Sequence, residues 1–413
     1  MEILGSLRRE FSFVRGNYAV LVTSWILIDF AGELPGTYYA LYVLGLGATE
    51  TILGTIGLMS FLALASMQFP GGYLADKFGR KWIISSMTFG VALSFILYAL
   101  APSWHFILIG AVLMNLFNST YQPALSAMVA DSLPPERRGM GFGIVMLISS
   151  ASTTPGPLVA GLLHNQYGLI NGMRIGYGIV VALFLIAAFL RLSRLKETVV
   201  SAEKPSLSEL LRSYPISLKE SFIVWKKVPK SMFYLFLSSS MVTFGISTVQ
   251  LFFLVYAVKV IMIDEAVWPM ILTALFVTMI VLAVPMGKIA DKASRKLPIL
   301  AAYLLFGSAM WLFVNGDLIR IFLSLMLVGV AQTMMNASFG ALQADLTPKE
   351  ERGKINGFSN FVNCILMALG SFIGGVMYER LSPQLPFYVA TVFVIPAFVM
   401  TMFLVQEPEK REE

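Results

Sequence analysis

Asp29 and Glu33 are the charged residues set well inside a long apolar run of this chain. An ionised side chain near the centre of a bilayer costs at least about 2.5–3.5 kcal/mol, so it must face a cavity or a partner. Spaced four apart, the two acids share one helix face and lie about 6 Å apart along the axis. Carboxylates that close repel each other, which favours a proton on one of them. Such a pair can exchange protons or meet a cationic substrate. A plainer alternative stands beside this: one acid only bonds neighbouring hydroxyls, or Glu33 sits near an outer mouth. Pro35, between Gly32 and Gly36, is expected to kink the helix just past the acids. An interrupted backbone beside buried acids suits a site that opens and closes.

The elements that must hold these acids follow from composition. Of the 413 residues, 57% are hydrophobic and 13% charged, and the mean hydropathy is +0.76. Soluble domains carry roughly 25% charged residues, so one soluble core would not bury this much apolar side chain. Twelve apolar runs are expected as transmembrane helices. They lie near 17–43, 50–75, 82–101, 104–130, 140–163 and 172–192, then 231–258, 266–290, 297–314, 319–344, 354–378 and 386–406. The short alternating segments of a transmembrane barrel are not seen. The net charge of +6 does not point to nucleic acid, because the basic residues collect in alternate loops. All but Arg174, Lys259, Arg320 and Arg380 of the 30 Lys and Arg fall on one side. That asymmetry is expected to place both termini in the cytoplasm, and the plasma membrane is the expected location. Arg191 is counted with the middle loop in this tally. Cys364, the single cysteine, forms no intrachain disulfide and does not inform on redox compartment.

The chain repeats itself. Gly72-Tyr-Leu-Ala-Asp76-Lys-Phe-Gly79-Arg80-Lys81 returns as Gly287-Lys-Ile-Ala-Asp291-Lys-Ala-Ser294-Arg295-Lys296. Asp131, Arg138 and Gly139 return as Asp345, Arg352 and Gly353, and Gly156 and Gly161 return as Gly370 and Gly375, both pairs of sets 214 positions apart. An internal duplication of six spans explains the common offset. The expected organisation is a six-helix bundle over 1–192, a cytoplasmic linker over 193–230 and a second bundle over 231–413. Within the linker, Leu207–Val228 fits either an amphipathic helix on the leaflet or a solvated connection.

Together these features resemble the major facilitator superfamily over essentially the whole chain. Gly72, Asp76, Gly79, Arg80 and Lys81 match that family's loop signature, and Ser294 departs from it in the second copy. Pro123, Asp131, Pro135, Arg138 and Gly139 match the usual end of its fourth span. Gly143, Gly156 and Pro157 fit the fifth-span helix-packing motif of the drug/proton antiporter branch, with Ser152 and Ala160 where glycine is usual and Gly161 counted with the same packing stretch. Ala111 stands where many such antiporters carry an arginine tied to proton coupling. The resemblance implies an all-α membrane protein of twelve transmembrane helices in two pseudo-symmetric six-helix bundles. It also implies that the first, fourth, seventh and tenth spans line the cavity.

On that basis the proton or cation site is expected at Asp29 and Glu33. Their counterparts 214 positions on are Thr243 and Ser247, hydroxyls in place of acids. Substrate contacts are expected from Asn118, Tyr121, Thr243, Ser247, Gln250, Gln332 and Asn336, although interhelical hydrogen bonds account for any one amide equally well. Asp76 and Asp291 would cap helices of the opposite half and latch a cytoplasmic gate; in the alternative, Arg80, Lys81, Arg295 and Lys296 only anchor topology. No phosphate-binding loop, metal-ligand spacing or catalytic constellation is present in the sequence, so no cofactor, metal or enzyme activity is expected. The expected function is secondary active transport by alternating access: proton-coupled efflux of amphipathic or cationic small molecules by a monomer. An uptake symporter or facilitator of a sugar or organic acid is the alternative, and a non-transporting receptor or scaffold a remote one.

Overall fold

Backbone groups surrounded by lipid must pair among themselves, and helices achieve this within one segment. The computed structural model describes residues 13–68, 70–134, 137–199, 223–225, 228–292, 294–348 and 351–407. Over these it forms helices α1 Gly16–Gly36, α2 Tyr39–Gly45, α3 Glu50–Ser66, α4 Pro70–Phe78, α5 Arg80–Ala99, α6 Trp104–Asp131, α7 Arg138–Thr153 and α8 Gly156–Arg194. The second half contains α9 Lys230–Val249, α10 Phe253–Lys259, α11 Trp268–Lys292, α12 Lys296–Val314, α13 Leu318–Asp345, α14 Arg352–Arg380 and α15 Leu385–Leu404. These helices build twelve spans. The first is α1 with α2, the second α3 with α4, and the seventh α9 with α10. Helix α8 reverses at Gly168 (φ 74°), so it finishes the fifth span and supplies the sixth. The linker between the halves lies mostly outside the described residues; of it, Trp225 packs 4.4 Å from the Phe236 ring and 5.6 Å from Phe358.

The duplication is visible in the backbone. Spans one and seven both break, between Gly36 and Tyr39 and between Val249 and Phe253. Pro35 lies at the first break, as its fixed geometry and missing N–H lead one to expect. Past each break a buried tyrosine ties the short helix to its own bundle. Tyr42 donates to the Tyr98 carbonyl (2.8 Å) and Tyr256 to the Val314 carbonyl (3.1 Å).

Within the first half α1 packs on α8 and α5 packs on α6 and α8; within the second, α12 packs on α13 and α9 on α15. The halves meet chiefly where α3 lies against α14. That seam is built of small residues: a Cβ on Gly54 would meet the Ser371 carbonyl oxygen at 2.5 Å and the Gly375 Cα at 3.1 Å. Close backbone approach of this kind gives helix association in lipid its packing energy. Polar clasps cluster at the same end, away from the repeated charged turns at Arg80 and Arg295, here called the hinges. Lys259 reaches Glu50 (2.9 Å), and the Thr51 N–H donates to Glu379 (2.7 Å). Tyr38 donates to the Glu265 carbonyl (2.9 Å), while His164 stacks on Tyr38 and lies 3.3 Å from the Glu265 carboxylate. The two halves are thus held together at the end remote from the hinges.

Candidate functional site

Between the halves lies a cavity of about 490 Å³ with Asp29 and Glu33 on one wall. Both acids project from α1 beside Gly32, Pro35 and Gly36, just before the helix breaks. Helix α6 supplies Asn115, Asn118, Tyr121 and Gln122, and α9 ends there with Gln250. Trp25, Tyr39, Phe61, Phe95, Tyr98 and Tyr177 give the cavity aromatic walls. A second lobe of about 400 Å³ opens in the other half, lined by Gln250, Tyr303, Phe306, Gln332, Met335 and Asn336. A third of about 210 Å³ lies at the breaks themselves, with Gly36, Tyr39, Gln250 and Phe253. Gln250 touches all three lobes. The first lobe carries both carboxylates, whereas the second is lined by amides, aromatics and aliphatics.

The residues expected at the cavity divide cleanly. Asn118, Tyr121 and Gln250 line the first lobe, and Gln332 and Asn336 line the second. Ser247 is instead fully buried, its hydroxyl donating to the Phe244 carbonyl (2.7 Å) and lying under α14 at Gly370. Thr243 is not among the residues lining these lobes. The repeat offset places both on the right helix, but the second half presents the neighbouring face to the cavity. Gln122 donates to Asn118 (3.3 Å), so this pair is partly satisfied within α6.

Glu33 also opens onto a side pocket of about 180 Å³ with Ser149, Ser150, Thr153, Phe276 and Met279. The packing motif explains how α1 is held there. A Cβ on Gly156 would meet the Glu33 Cβ at 2.9 Å and the Leu34 amide nitrogen at 3.1 Å. Pro157 is buried beside it. Gly161 faces Pro269 of α11 across the halves, while the space at Gly143 is open.

One embedded charge is missing from the sequence-based expectation. Arg191 is not part of the middle loop: α8 continues through Arg194, and Arg191 is fully buried. Its Nε donates to Ser24 (2.9 Å) and its Nη1 to Thr88 (2.8 Å), with Tyr121 beneath the guanidinium at 5.6 Å. Arg194 and Lys196 follow within five residues, which made the whole cluster look like a loop. The signal that distinguishes Arg191 is its place after Ala187-Ala-Phe-Leu190, still in helical phase with an apolar face.

The hinges form matching ion pairs. Arg80 is bonded to Asp131, and Arg295 to Asp345 and to the Ala341 carbonyl (2.8 Å). Glu197, just past α8, accepts from the Arg80 and Lys81 amides (both 3.0 Å) at the start of α5. Glu407, just past α15, accepts from the Lys296 amide (2.5 Å), and the Lys296 ammonium bonds the Met402 and Val405 carbonyls at the end of α15. Carboxylates at helix N-termini satisfy orphan N–H groups and the helix dipole together. Gly79 turns with φ +89°, and a Cβ there would meet the Glu197 carboxylate at 2.6 Å. At the equivalent place Ser294 donates to Glu407 (2.6 Å). Gly72 and Asp76 lie in α4, Gly287 and Asp291 in α11; the side chains of Asp76 and Asp291, and with them the expected latch, lie outside the described residues.

Twelve spans in two repeat-related halves, joined at one end around a cavity with embedded carboxylates, define a membrane transporter of small molecules. The chain belongs to the Major Facilitator Superfamily, whose family model matches residues 13–264 and 235–413. It is 24% identical over 349 residues to an uncharacterized MFS-type transporter of Methanocaldococcus jannaschii, covering 83% of this chain and 85% of that one. It is 25% identical to a multi-drug resistance efflux pump PmrA homolog of Lactococcus lactis, covering 91% and 92%. Among solved structures, a bacterial homolog of the human lysosomal transporter Spinster, in an inward-facing and unoccupied conformation, superposes with a TM-score of 0.74. That match covers 96% of this chain and 98% of that one at 14% identity, and so speaks to the fold.

Proposed function

We propose that this protein is a proton-coupled exporter of cationic or amphipathic small molecules, working by alternating access between bundles 1–192 and 231–413. The observation that carries this reading is the pair Asp29 and Glu33 on the wall of the central cavity, opposite amides and aromatic rings. Carboxylates there can hold either a proton or a cation, and aromatic faces favour cations further. Likeness to a multi-drug efflux pump over nine-tenths of the chain supports export. The basic asymmetry of the loops supports cytoplasmic termini, and the plasma membrane is the location that export requires. With the hinges on the cytoplasmic side, the clasped end is the outer one and the cavity belongs to the inward-facing state. The protein is expected to act as a monomer.

Flux in proteoliposomes with an imposed pH gradient tests this, across a panel of cationic dyes and small metabolites. Dye extrusion that rises with the gradient is the expected result. Dye extrusion indifferent to the gradient would overturn proton antiport, and gradient-driven uptake of a metabolite would replace export with symport.

A further inference from the structure

Three groups meet where the halves close at the end remote from the hinges. His164 lies on α8 just before its reversal, Tyr38 lies between α1 and α2, and Glu265 opens the short 3₁₀ turn Glu265–Val267 that leads into α11. The first two belong to one bundle and Glu265 to the other, and together they grip Glu265 at two points. Tyr38 donates to its carbonyl (2.9 Å), and the His164 Nε2 stands 3.3 Å from its carboxylate. The imidazole lies on the buried Tyr38 ring, with centroids 4.7 Å apart. Its other nitrogen, Nδ1, is buried with no hydrogen-bond partner, so the ring's polar contact with the second half runs through Nε2. The Glu265 side chain is 32% exposed and that of His164 18%, which gives the pair a path to water.

The charged and titratable groups around the ring are otherwise engaged. Asp264 caps the turn by accepting from the Ala266 N–H (2.9 Å), and the Tyr38 phenol is committed to the Glu265 carbonyl. Arg174, on the returning limb of α8, donates to the Ala101 carbonyl (2.9 Å). The start of α11 brings Trp268 and Pro269, which do not titrate. The neighbouring clasps join Lys259 to Glu50 and the Thr51 N–H to Glu379. Lysine and glutamate ordinarily keep their charges between pH 5 and 8, the range in which histidine changes its own. The second histidine of the chain, His105, stacks on Trp104 within the first bundle.

We propose that His164 and Glu265 form a proton site on the seam between the halves, apart from the cavity acids, and that a proton bound there holds this end shut. One proton passes from water to the imidazole, and no other bond forms or breaks. The imidazolium and the carboxylate then make a charge-assisted hydrogen bond across the halves. Opening the end parts His164 from Glu265, so the proton binds more tightly when the halves are clasped, and by linkage the proton favours the clasp. Closure is therefore strengthened at low pH and loses this contribution as pH rises through the range in which the ring releases its proton. That this end faces outward rests on the topology of the transport reading; the proton site and its hold on the seam do not. In that topology an acidic exterior shuts the end from which substrate has left and returns the emptied protein to face inward.

Nuclear magnetic resonance of the full-length protein in detergent, labelled at its histidines, tests the site. The His164 signal is the one that disappears in His164→Gln. It should titrate between about pH 5 and pH 8, and Glu265→Gln should weaken its proton affinity about two- to fivefold, the size a partly exposed ion pair supports. A His164 signal that does not titrate there, or an affinity unchanged in Glu265→Gln, would overturn the proton site. The hold on the seam is read from the distance between spin labels at Leu100→Cys and Leu381→Cys, exposed positions on opposite bundles at this end, in a Cys364→Ser background. From about pH 8 to about pH 5 the clasped population should rise about two- to fivefold relative to the open one. The rise should persist in His105→Gln and be lost in His164→Gln. Lys259→Gln, which removes a neighbouring clasp, brings the open form into range if the protein starts wholly clasped. A population indifferent to pH in both backgrounds, or a rise as large in His164→Gln, would overturn the hold on the seam. Neither measurement uses flux, so a failure of proton-driven export would leave both results standing.

Discussion

A carboxylate inside a bundle is useful to a transporter when its charge can change without the helix losing its place. Glu33 is placed for both: its side chain faces two cavities, while its backbone is pressed against Gly156. Glu33→Gln is expected to lower gradient-driven flux by at least about 100-fold, equivalent to roughly 2.7 kcal/mol of lost driving interaction, while downhill exchange of an uncharged analogue persists. Proteoliposome flux with and without the gradient measures the two separately. Gly156→Val should displace α1 instead, because its Cβ falls 2.9 Å from that of Glu33. Overpacking of this kind costs about 1–3 kcal/mol, to be read as a lower melting temperature together with reduced flux of every substrate. The acids were legible in the sequence because each interrupts an apolar run with a charge that lipid would not tolerate. Arg191 was not, since Arg194 and Lys196 extend it into what resembles a loop. Ser247 was misplaced for a different reason: a repeat offset fixes which helix a residue occupies, but the glycine at 370 draws that face of α9 into a helix contact.

The two hinges show one element built by two local solutions. Both seat an arginine on the aspartate ending the spans α6 and α13, and both cap the next helix with an acid from the far end of the same bundle. In the first, glycine supplies a positive φ and leaves room for the Glu197 carboxylate. In the second, serine adds a hydrogen bond to Glu407. Exchanging them should therefore hurt both. Gly79→Ser forces a side chain into left-handed backbone, about 1–2 kcal/mol, and pushes Glu197 from the amides of Arg80 and Lys81. Ser294→Gly removes a charge-assisted bond, about 1.5–3 kcal/mol. Thermal unfolding of each variant in detergent checks this, and a stabilised Ser294→Gly would show that the departure from glycine is a defect. The hinge motif was visible in the sequence at both copies. Its capping acids were not, because Glu197 and Glu407 lie more than 100 positions from the helices they cap and only folding brings them near.

At the scale of the molecule, the proposed alternating access requires that the clasped end open when the hinged end closes. The twelve spans and the 214-residue period could be read directly, because apolar length and repetition are properties of the chain alone. Which end is closed could not be read, since one sequence serves both states and the contacts that choose between them join residues hundreds of positions apart. The clasp between Thr51 and Glu379 lies on the small-residue seam of α3 and α14, where rigid bundles must separate for the cavity to reach the other side. Thr51→Cys with Glu379→Cys, on a Cys364→Ser background, places two thiols across that seam, and Cys364 itself is buried. A short bifunctional thiol reagent should link them in the resting protein and hold the end shut. The linked protein is expected to bind ethidium from the hinge side with unchanged affinity, because the cavity lobes lie between that side and the seam. Turnover should fall to background and return on reduction of a cleavable linker. Each single-cysteine variant treated alike should keep its flux, which separates locking from chemical damage. Full transport by the linked protein would mean that the α3–α14 seam stays closed throughout the cycle, and the moving contact would then have to be sought at α8 and α11, where Gly161 meets Pro269.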